Sequence, residues 1–476
     1  MFAASRPISG AMSLAASEQP LTLPTPEATP RPPAPVLSVP VVVGTRPEAI
    51  KVAPVILALR ESDCLRPIVI STGQHHRMVR EIFDLAGITT DVELWAGDAR
   101  SRLNDRVAAV MGRFEDFARE WFDDDGSAIA SGPDVVAGRY PLAVLVHGDT
   151  SSALAAALAA FHLRIPVMHL EAGLRTGGSN LTPFPEELNR QLISCIACFH
   201  FAPTATNQEN LVRENVPTHQ VFVTGNTGID ALHWASRLEL SFSDPELQDL
   251  ERSQERVVVV TAHRRENWGA GLAGIASGVA RLSRSHPDVR FVVPLHPNPR
   301  VREQLGDPLQ ELPNVLLTEP LGYAEFARLL GRSYLVITDS GGIQEEAPSL
   351  NKPVLVARNS TERIEGVEAG TLRVVGTDPD LIAAEGSRLL GDEAAYADMA
   401  QAINPYGDGR AAARIVTSLE NLYRGGEPPQ QFGSGYTRQA VLEAAGYEHG
   451  LDPEWVPSGE RGESHEHQAG DPLWPS

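Results

Sequence analysis

The sequence predicts an α/β protein built on two doubly wound parallel sheets. Three observations carry that expectation. Short β-branched runs alternate along the chain with Ala- and Leu-rich helical stretches. The runs are apolar almost throughout, as strands covered by helices on both faces must be. There are about a dozen of them, more than one open sheet comfortably holds, so two sheets are expected.

The first set reads "VLSVPVVVG", "PIVIST", "LAVLVHGD", "PVMHLEAG", "FHFAPT" and "QVFVTGN". The second reads "RVVVVTAHR", "RFVVPLHP", "NVLLTEP", "YLVITDS", "KPVLVARN" and "LRVVG". Between them, near "VTGNTGID" (Thr224 to Asp230), the first set ends, and the polar "SRLELSFSDPELQDLERSQERV" has the look of a linker. This places a first domain at 36–224, a second at 225–405 and a closing helix at 406–425. "FDDDGSAIASGPDVVAGRYP" reads as a surface loop inserted ahead of the third strand. Residues 1–35 are Pro/Ala/Ser-rich, lack the compact apolar stretch of a signal peptide and read as a disordered extension. Residues 426–476 read as a mostly disordered tail in which "TRQAVLEAAGY" is the one candidate helix.

Composition narrows the function. A formal net charge of −21 over 476 residues argues against a general nucleic-acid binder or a membrane-surface protein, either of which needs a basic face. The apolar runs are strand-length, so no membrane span is expected. Three cysteines suggest a reducing compartment, hence the cytoplasm. Cys195 and Cys198 make a CxxC, but without a second pair for a metal they are expected to be core packing.

Ligands of open α/β sheets bind beyond the carboxyl ends of the strands, and that rule selects the residues to weigh. "VVVGTRPEAIK" sets Arg46 and Lys51 where both can reach an anion, although a plain helix start with two solvated cations has the same spelling. Asp149 and Glu171 each end a strand with a carboxylate, and Asp149 could equally cap the helix after it. Glu186 opens a helix with Arg190 one turn on, the spacing of a simple i,i+4 salt bridge. His263, Arg264 and Arg265 cluster at another strand end, a pattern better explained by an anion than by structure alone; His296 and Arg363 are of the same kind. In "ITDSGGIQEEAPSL" a strand, a Gly pair and a helix start form a phosphate cradle, with Glu346 placed to accept from ribose hydroxyls. Carboxylates come mainly from the first half and the glycine turn with most Arg and His from the second. That division suits a diphosphate on one domain and a sugar facing the other.

In this order and spacing, "GTRPEAIKVAPVI", "VHGDT", "HLEAGLRT", "PFPEELNRQ", "TAHRREN", "TDSGGIQEEAPSL" and "STERIEGVEAGT" resemble the non-hydrolysing UDP-N-acetylglucosamine 2-epimerases, over roughly Val41 to Tyr423. The resemblance implies a glycosyltransferase-B-type pair of Rossmann-like domains facing across a cleft. It implies interconversion of UDP-GlcNAc and UDP-ManNAc without metal or nicotinamide, and a homodimer. By motif match Asp149, Glu171, Glu186 and His263 fall at catalytic positions. Arg46, Lys51, Phe326, Ser340, Gly341 and Gly342 fall at substrate-binding positions, with Glu346 and Arg363. Arg190 and Arg264 join that set as the cations beside Glu186 and His263. Alternatives are a hydrolysing epimerase releasing ManNAc, a glycosyltransferase of the same fold, and a non-catalytic sugar-nucleotide sensor.

One departure is informative. The family commonly reads Gln-His-Arg-Glu where this chain has "GQHHRM", Gly73 to Met78. In bacterial relatives that region joins an activating UDP-GlcNAc site. With His76 and Arg77 there, turnover started from UDP-ManNAc alone is expected to proceed without a lag; progress curves that need added UDP-GlcNAc would show that the altered site still activates.

Overall fold

The computed structural model describes residues 36–97, 101–122, 134–135, 137, 139–176, 178–425 and 429–433. The first sheet holds β1 (Leu37–Val43), β2 (Leu65–Ser71), β3 (Val92–Glu93), β4 (Val144–His147), β5 (Val167–Leu170), β6 (Phe199–Ala202) and β7 (Val221–Val223), in the order β3-β2-β1-β4-β5-β6-β7. The second holds β8 (Arg256–Thr261), β9 (Val289–Pro294), β10 (Val315–Thr318), β11 (Leu335–Thr338), β12 (Val354–Val356) and β13 (Leu372–Val374), in the order β10-β9-β8-β11-β12-β13. All pairings are parallel; Val41 lies opposite Val69 and Leu145, and Ile337 opposite Val260 and Leu355. In both sheets the order reverses beside the first strand, so both sheets have a switch point where loops splay apart.

The helices are α1 (Arg46–Glu61), α2 (His76–Leu85), α3 (Leu103–Phe122), α4 (Ser151–His162), α5 (Glu186–Ile196), α6 (Ala205–Arg213) and α7 (Thr227–Ser236) in the first part of the chain. They continue as α8 (Pro245–Arg252), α9 (Ala270–Ser285), α10 (Tyr323–Arg332), α11 (Gly341–Glu346), α12 (Pro379–Gly391), α13 (Glu393–Ala400) and α14 (Ala411–Arg424). Each sheet is cored on both faces. Val41, Leu145 and Leu170 pack under α1, while Val42, Val144 and Val146 pack under α3 and α4. Val258, Phe291 and Ile337 face α9, and Val257, Val292 and Val336 face α8 and α10. The closing helix α14 buries Ile415, Val416 and Leu419 in the core that α1 covers, returning the chain to the first sheet. Asp230 of α7 caps it, accepting the N–H groups of Ala411 at 3.2 Å and Ala412 at 2.9 Å. We place the lobe boundary at Gly225, just before α7.

Every one of the dozen anticipated runs is a strand; β3 is the thirteenth, too short to leave a periodic signal. The polar "linker" is not loop throughout. Asp244 caps α8, whose Leu247 and Leu250 bury against the second sheet, three residues apart on one face. The two cysteines correct another expectation: both are exposed, Cys195 because α5 turns Ile193 and Ser194 inward instead, and Cys198 beyond the end of that helix, where its Sγ donates to Val167 O at 3.3 Å. The loop around residues 123–133 and the candidate helix "TRQAVLEAAGY" lie outside the described residues. Part of the tail is docked. Phe432 donates its N–H to Val223 O at 2.8 Å, Gln431 Oε1 accepts the Val223 N–H at 2.9 Å, and the buried Phe432 ring covers the outer edge of β7. No helix among the described residues is long and apolar enough to cross a membrane.

His169 and His200 lie opposite each other on β5 and β6, fully buried. Burial drives His169 down to about 3 and His200 to about 4, so both are neutral in the fold. Each folded pKa is below the unfolded value of about 6.5. Each therefore contributes stability that is complete above that value and is lost as pH falls, by about 1.4 kcal/mol per pH unit. Neither ring nitrogen of His200 makes a hydrogen bond of ordinary geometry among the described residues, and only a weak interaction with the Ala197 backbone acts on it, so His200→Phe gives up little. Urea titrations at pH 7 and pH 5 should show the variant losing about 2 kcal/mol less on acidification than wild type; equal losses would show that His200 does not titrate with unfolding.

Candidate active site

The loop leaving β1 is closed by its own helix. Glu48, 3% exposed, accepts the N–H groups of Gly44 at 2.8 Å and Thr45 at 2.6 Å, and Thr150 Oγ1 donates to its other oxygen at 2.6 Å. The backbone donors of Gly44 and Thr45 are therefore already satisfied. What remains are side chains. Arg46 and Lys51 both face the cleft, and the Lys51 ammonium donates to Glu171 Oε1. Burial pushes the Glu171 carboxyl up, but Lys51 holds it down at about 2. Glu171 sits at the tip of β5 with φ of +60°, a left-handed backbone costly for a side-chain-bearing residue. Such strain concentrates where a side chain has to be aimed.

Asp149 does not cap α4; Thr150 does, its side chain accepting from the Ala153 N–H. Asp149 instead takes two hydrogen bonds from Arg190, Nε at 2.9 Å and Nη2 at 2.5 Å. Arg190 also holds Glu187 at 2.7 Å, one position along from the Glu186 that an i,i+4 pair would use. The i,i+3 partner wins because Glu187 turns inward, 2% exposed, where it also accepts from Thr176. Burial raises the Asp149 carboxyl, with Arg190 opposing.

Across the cleft, buried Asp339 organises the second sheet's rim. It accepts the N–H of His263 at 2.9 Å, that of Arg264 at 2.8 Å and Nδ2 of Asn267 at 3.0 Å. His263 stacks on His296 with ring centres 5.4 Å apart, while Arg264 is exposed. The Ser340–Gly342 turn opens α11, and Arg363 lies over it; a Cβ on Gly341 would stand 3.1 Å from the guanidinium carbon. Arg363 bonds Glu345 at 2.9 Å and Glu362 at 3.1 Å. Glu346 bonds neither, and burial lifts it to about 7 against the pull of Lys51.

These groups meet in a cavity of about 640 Å³ between the sheets. Of the residues singled out by sequence, Asp149, Glu171, Arg46 and Lys51 line it from the first lobe, and Phe326, Ser340, Gly342, Glu346 and Arg363 from the second. His263 lines an adjoining cavity of about 270 Å³ that shares Arg46 and Phe326. Glu186, Arg190, Arg264 and Gly341 line neither. The His76 ring lies tilted against Trp95 with centres 4.6 Å apart and Arg77 pairs with Glu81 in solvent, both outside these cavities.

Sequence reasoning missed Glu48, Asp339 and Glu187, whose roles depend on which N–H groups or cations face them. It missed His147, which no spacing marks. The run Gly269 to Gly274, "GAGLAG", has dinucleotide-fingerprint spacing, but its last glycine serves packing: a Cβ on Gly274 would stand 2.2 Å from Thr377 O. With Arg190 replaced by Met, Glu187 and Asp149 lose their shared cation. The variant should be less stable by about 3–5 kcal/mol in urea titration, and a loss under 1 kcal/mol would show that the loop re-pairs both acids.

Comparison with known proteins follows the same residues. A family model described as UDP-N-acetylglucosamine 2-epimerase matches residues 57–420. The UDP-N-acetylglucosamine 2-epimerase of Escherichia coli (strain K12) is 43% identical over 386 residues, 80% of this chain and 97% of that protein. The enzyme of that name from Yersinia pestis is 43% identical over 385 residues, with the same shares. The structure of UDP-GlcNAc 2-epimerase from Neisseria meningitidis bound to UDP-GlcNAc is 41% identical, covers 81% of this chain and 100% of its own, and superposes with a TM-score of 0.68. MnaA of S. aureus with UDP is 37% identical, covers 84% of this chain and 100% of its own, at a TM-score of 0.69. The fold is accordingly the glycosyltransferase-B type, and the chain belongs to the UDP-N-acetylglucosamine 2-epimerase family.

Proposed function

We propose that the chain interconverts UDP-GlcNAc and UDP-ManNAc by eliminating UDP to 2-acetamidoglucal and adding it back. One observation carries the reading: a single cavity has Asp149 and Glu171 on one wall and the Ser340–Gly342 turn with Arg363 on the other. That pairing suits a sugar carbon acid against one wall and a departing diphosphate against the other. Family membership supports it, and so does the relative that holds UDP-GlcNAc.

In the first step a carboxylate takes the C2 proton. The C–H electron pair becomes the C1=C2 bond, and the C1–O bond breaks as UDP leaves with its electrons. In the return step the UDP oxygen adds to C1 while a proton reaches the opposite face of C2. Two faces require two acid/base groups, and the environments of Asp149 and Glu171 push their carboxyls in opposite directions. Arg46, Lys51, Arg363 and His263 stabilise the departing diphosphate, and Glu346 with Phe326 holds the nucleoside. Glu186 is assigned by its motif and stands outside the cavity, at the first position of α5.

Turnover of UDP-GlcNAc in deuterated water should place deuterium at C2 of UDP-ManNAc. A product without solvent deuterium would mean redox chemistry at the sugar, free ManNAc would identify the hydrolysing reaction, and no turnover a sensor. Of Asp149→Asn, Glu171→Gln and Glu186→Gln, at least one should lower kcat by about 10²–10⁴-fold; near-normal rates in all three would remove these carboxylates from the chemistry.

A further inference from the structure

His147, the last residue of β4, has no task in the reaction as written. It is 3% exposed, and neither ring nitrogen has a hydrogen-bond partner among the described residues. A buried polar group left unpaired is costly and asks for an explanation. His147 is not sealed in the core: it lines the cavity, with Nε2 4.0 Å from Glu171 Oε2. Burial holds it near 4, so it is a neutral imidazole with one N–H to give.

Among the described residues the carboxylate beside it is held on one side only. Lys51 occupies Glu171 Oε1, and Oε2 has His147 at 4.0 Å, beyond hydrogen-bond reach. Lys51 is also the cation a diphosphate would draw away, because it lies within the field of Glu345 and Glu346 on the opposite wall. Once it leaves, Glu171 is a buried anion on a strained backbone, and the flanking polar groups that act on it are His147 and Arg190. Arg190 is already committed to Asp149 and Glu187. A shift of about 1 Å closes the His147–Glu171 gap to an ordinary hydrogen bond.

We propose that His147 is the positioning residue of Glu171: as the substrate's diphosphate takes up Lys51, the imidazole donates Nε2–H to Oε2 and holds the carboxylate at the sugar. The proposal rests on the epimerase reading. No bond to carbon is made or broken by His147, and its proton stays on the ring.

The test compares His147→Phe, which keeps the bulk without a donor, with His147→Gln, which keeps a neutral N–H donor and cannot act as a base. For His147→Phe, kcat should fall about 10–100-fold, the cost of a misplaced reacting group, with KM within about threefold and UDP affinity by calorimetry unchanged. His147→Gln should stay within about fivefold of wild type. If the Phe variant does not fold, His147→Asn, whose shorter amide cannot span the gap, replaces it with the same expectation. A donor-less variant with wild-type kcat overturns the proposal. A Gln variant as slow as the Phe variant overturns it too, and points to His147 as a base. Wild type that fails to epimerise UDP-GlcNAc would defeat the functional reading itself, an outcome distinct from either.

Discussion

Buried carboxylates that accept backbone N–H groups hold this structure together at its working edge. Strands of a parallel sheet end in loops whose N–H groups have no ladder partner, and in a buried cleft each must be met. Glu48 meets those after β1, Asp339 those after β8, and Asp230 those opening the helix that returns to the first sheet. Each carboxylate belongs to a different segment from most of the groups it serves, or reaches back across a turn. The loops carrying the cleft side chains are thereby pinned at both rims.

The cleft's cations are organised by the same excess of acid. Lys51 is held by Glu171, Arg190 by Asp149 and Glu187, and Arg363 by Glu345 and Glu362. An entering anion therefore competes with carboxylates for Lys51 and Arg363, which line the cavity; Arg190 does not line it. That competition is a means of coupling: occupancy by a diphosphate changes the charge felt by the two carboxylates that would do the chemistry. Glu346, lifted by burial to about 7 against the pull of Lys51, makes no ion pair among the described residues and stands apart from these pairs.

Reading the sequence went furthest where the signal is local and periodic. Apolar β-branched runs identified twelve of the thirteen strands among the described residues, because strands covered on both faces are mostly apolar at both parities, with buried His169 and His200 as exceptions. The strand-end rule then brought Asp149, Glu171, Arg46, Lys51, Ser340, Glu346 and Arg363 to one cavity, since parallel strands put their carboxyl ends on one side. It went wrong where a face decides. α8 looked like linker because only Leu247 and Leu250 face inward, and the cysteines looked buried because their neighbours are apolar.

The sequence by itself determined the α/β class, the division into two strand sets and the chemical kinds of group at the strand ends. These follow from residue type and short-range spacing. Only the tertiary structure decided which acid pairs with which cation. Arg190 chose Glu187 over Glu186, Glu48 turned back on its own loop, and His147 was left facing Glu171 without a bond. Such choices depend on distances of a few ångströms and on burial that strengthens one pairing while excluding water from another. No local pattern encodes them, even between residues three positions apart such as Glu187 and Arg190, because which side chain turns inward is settled only when the elements pack.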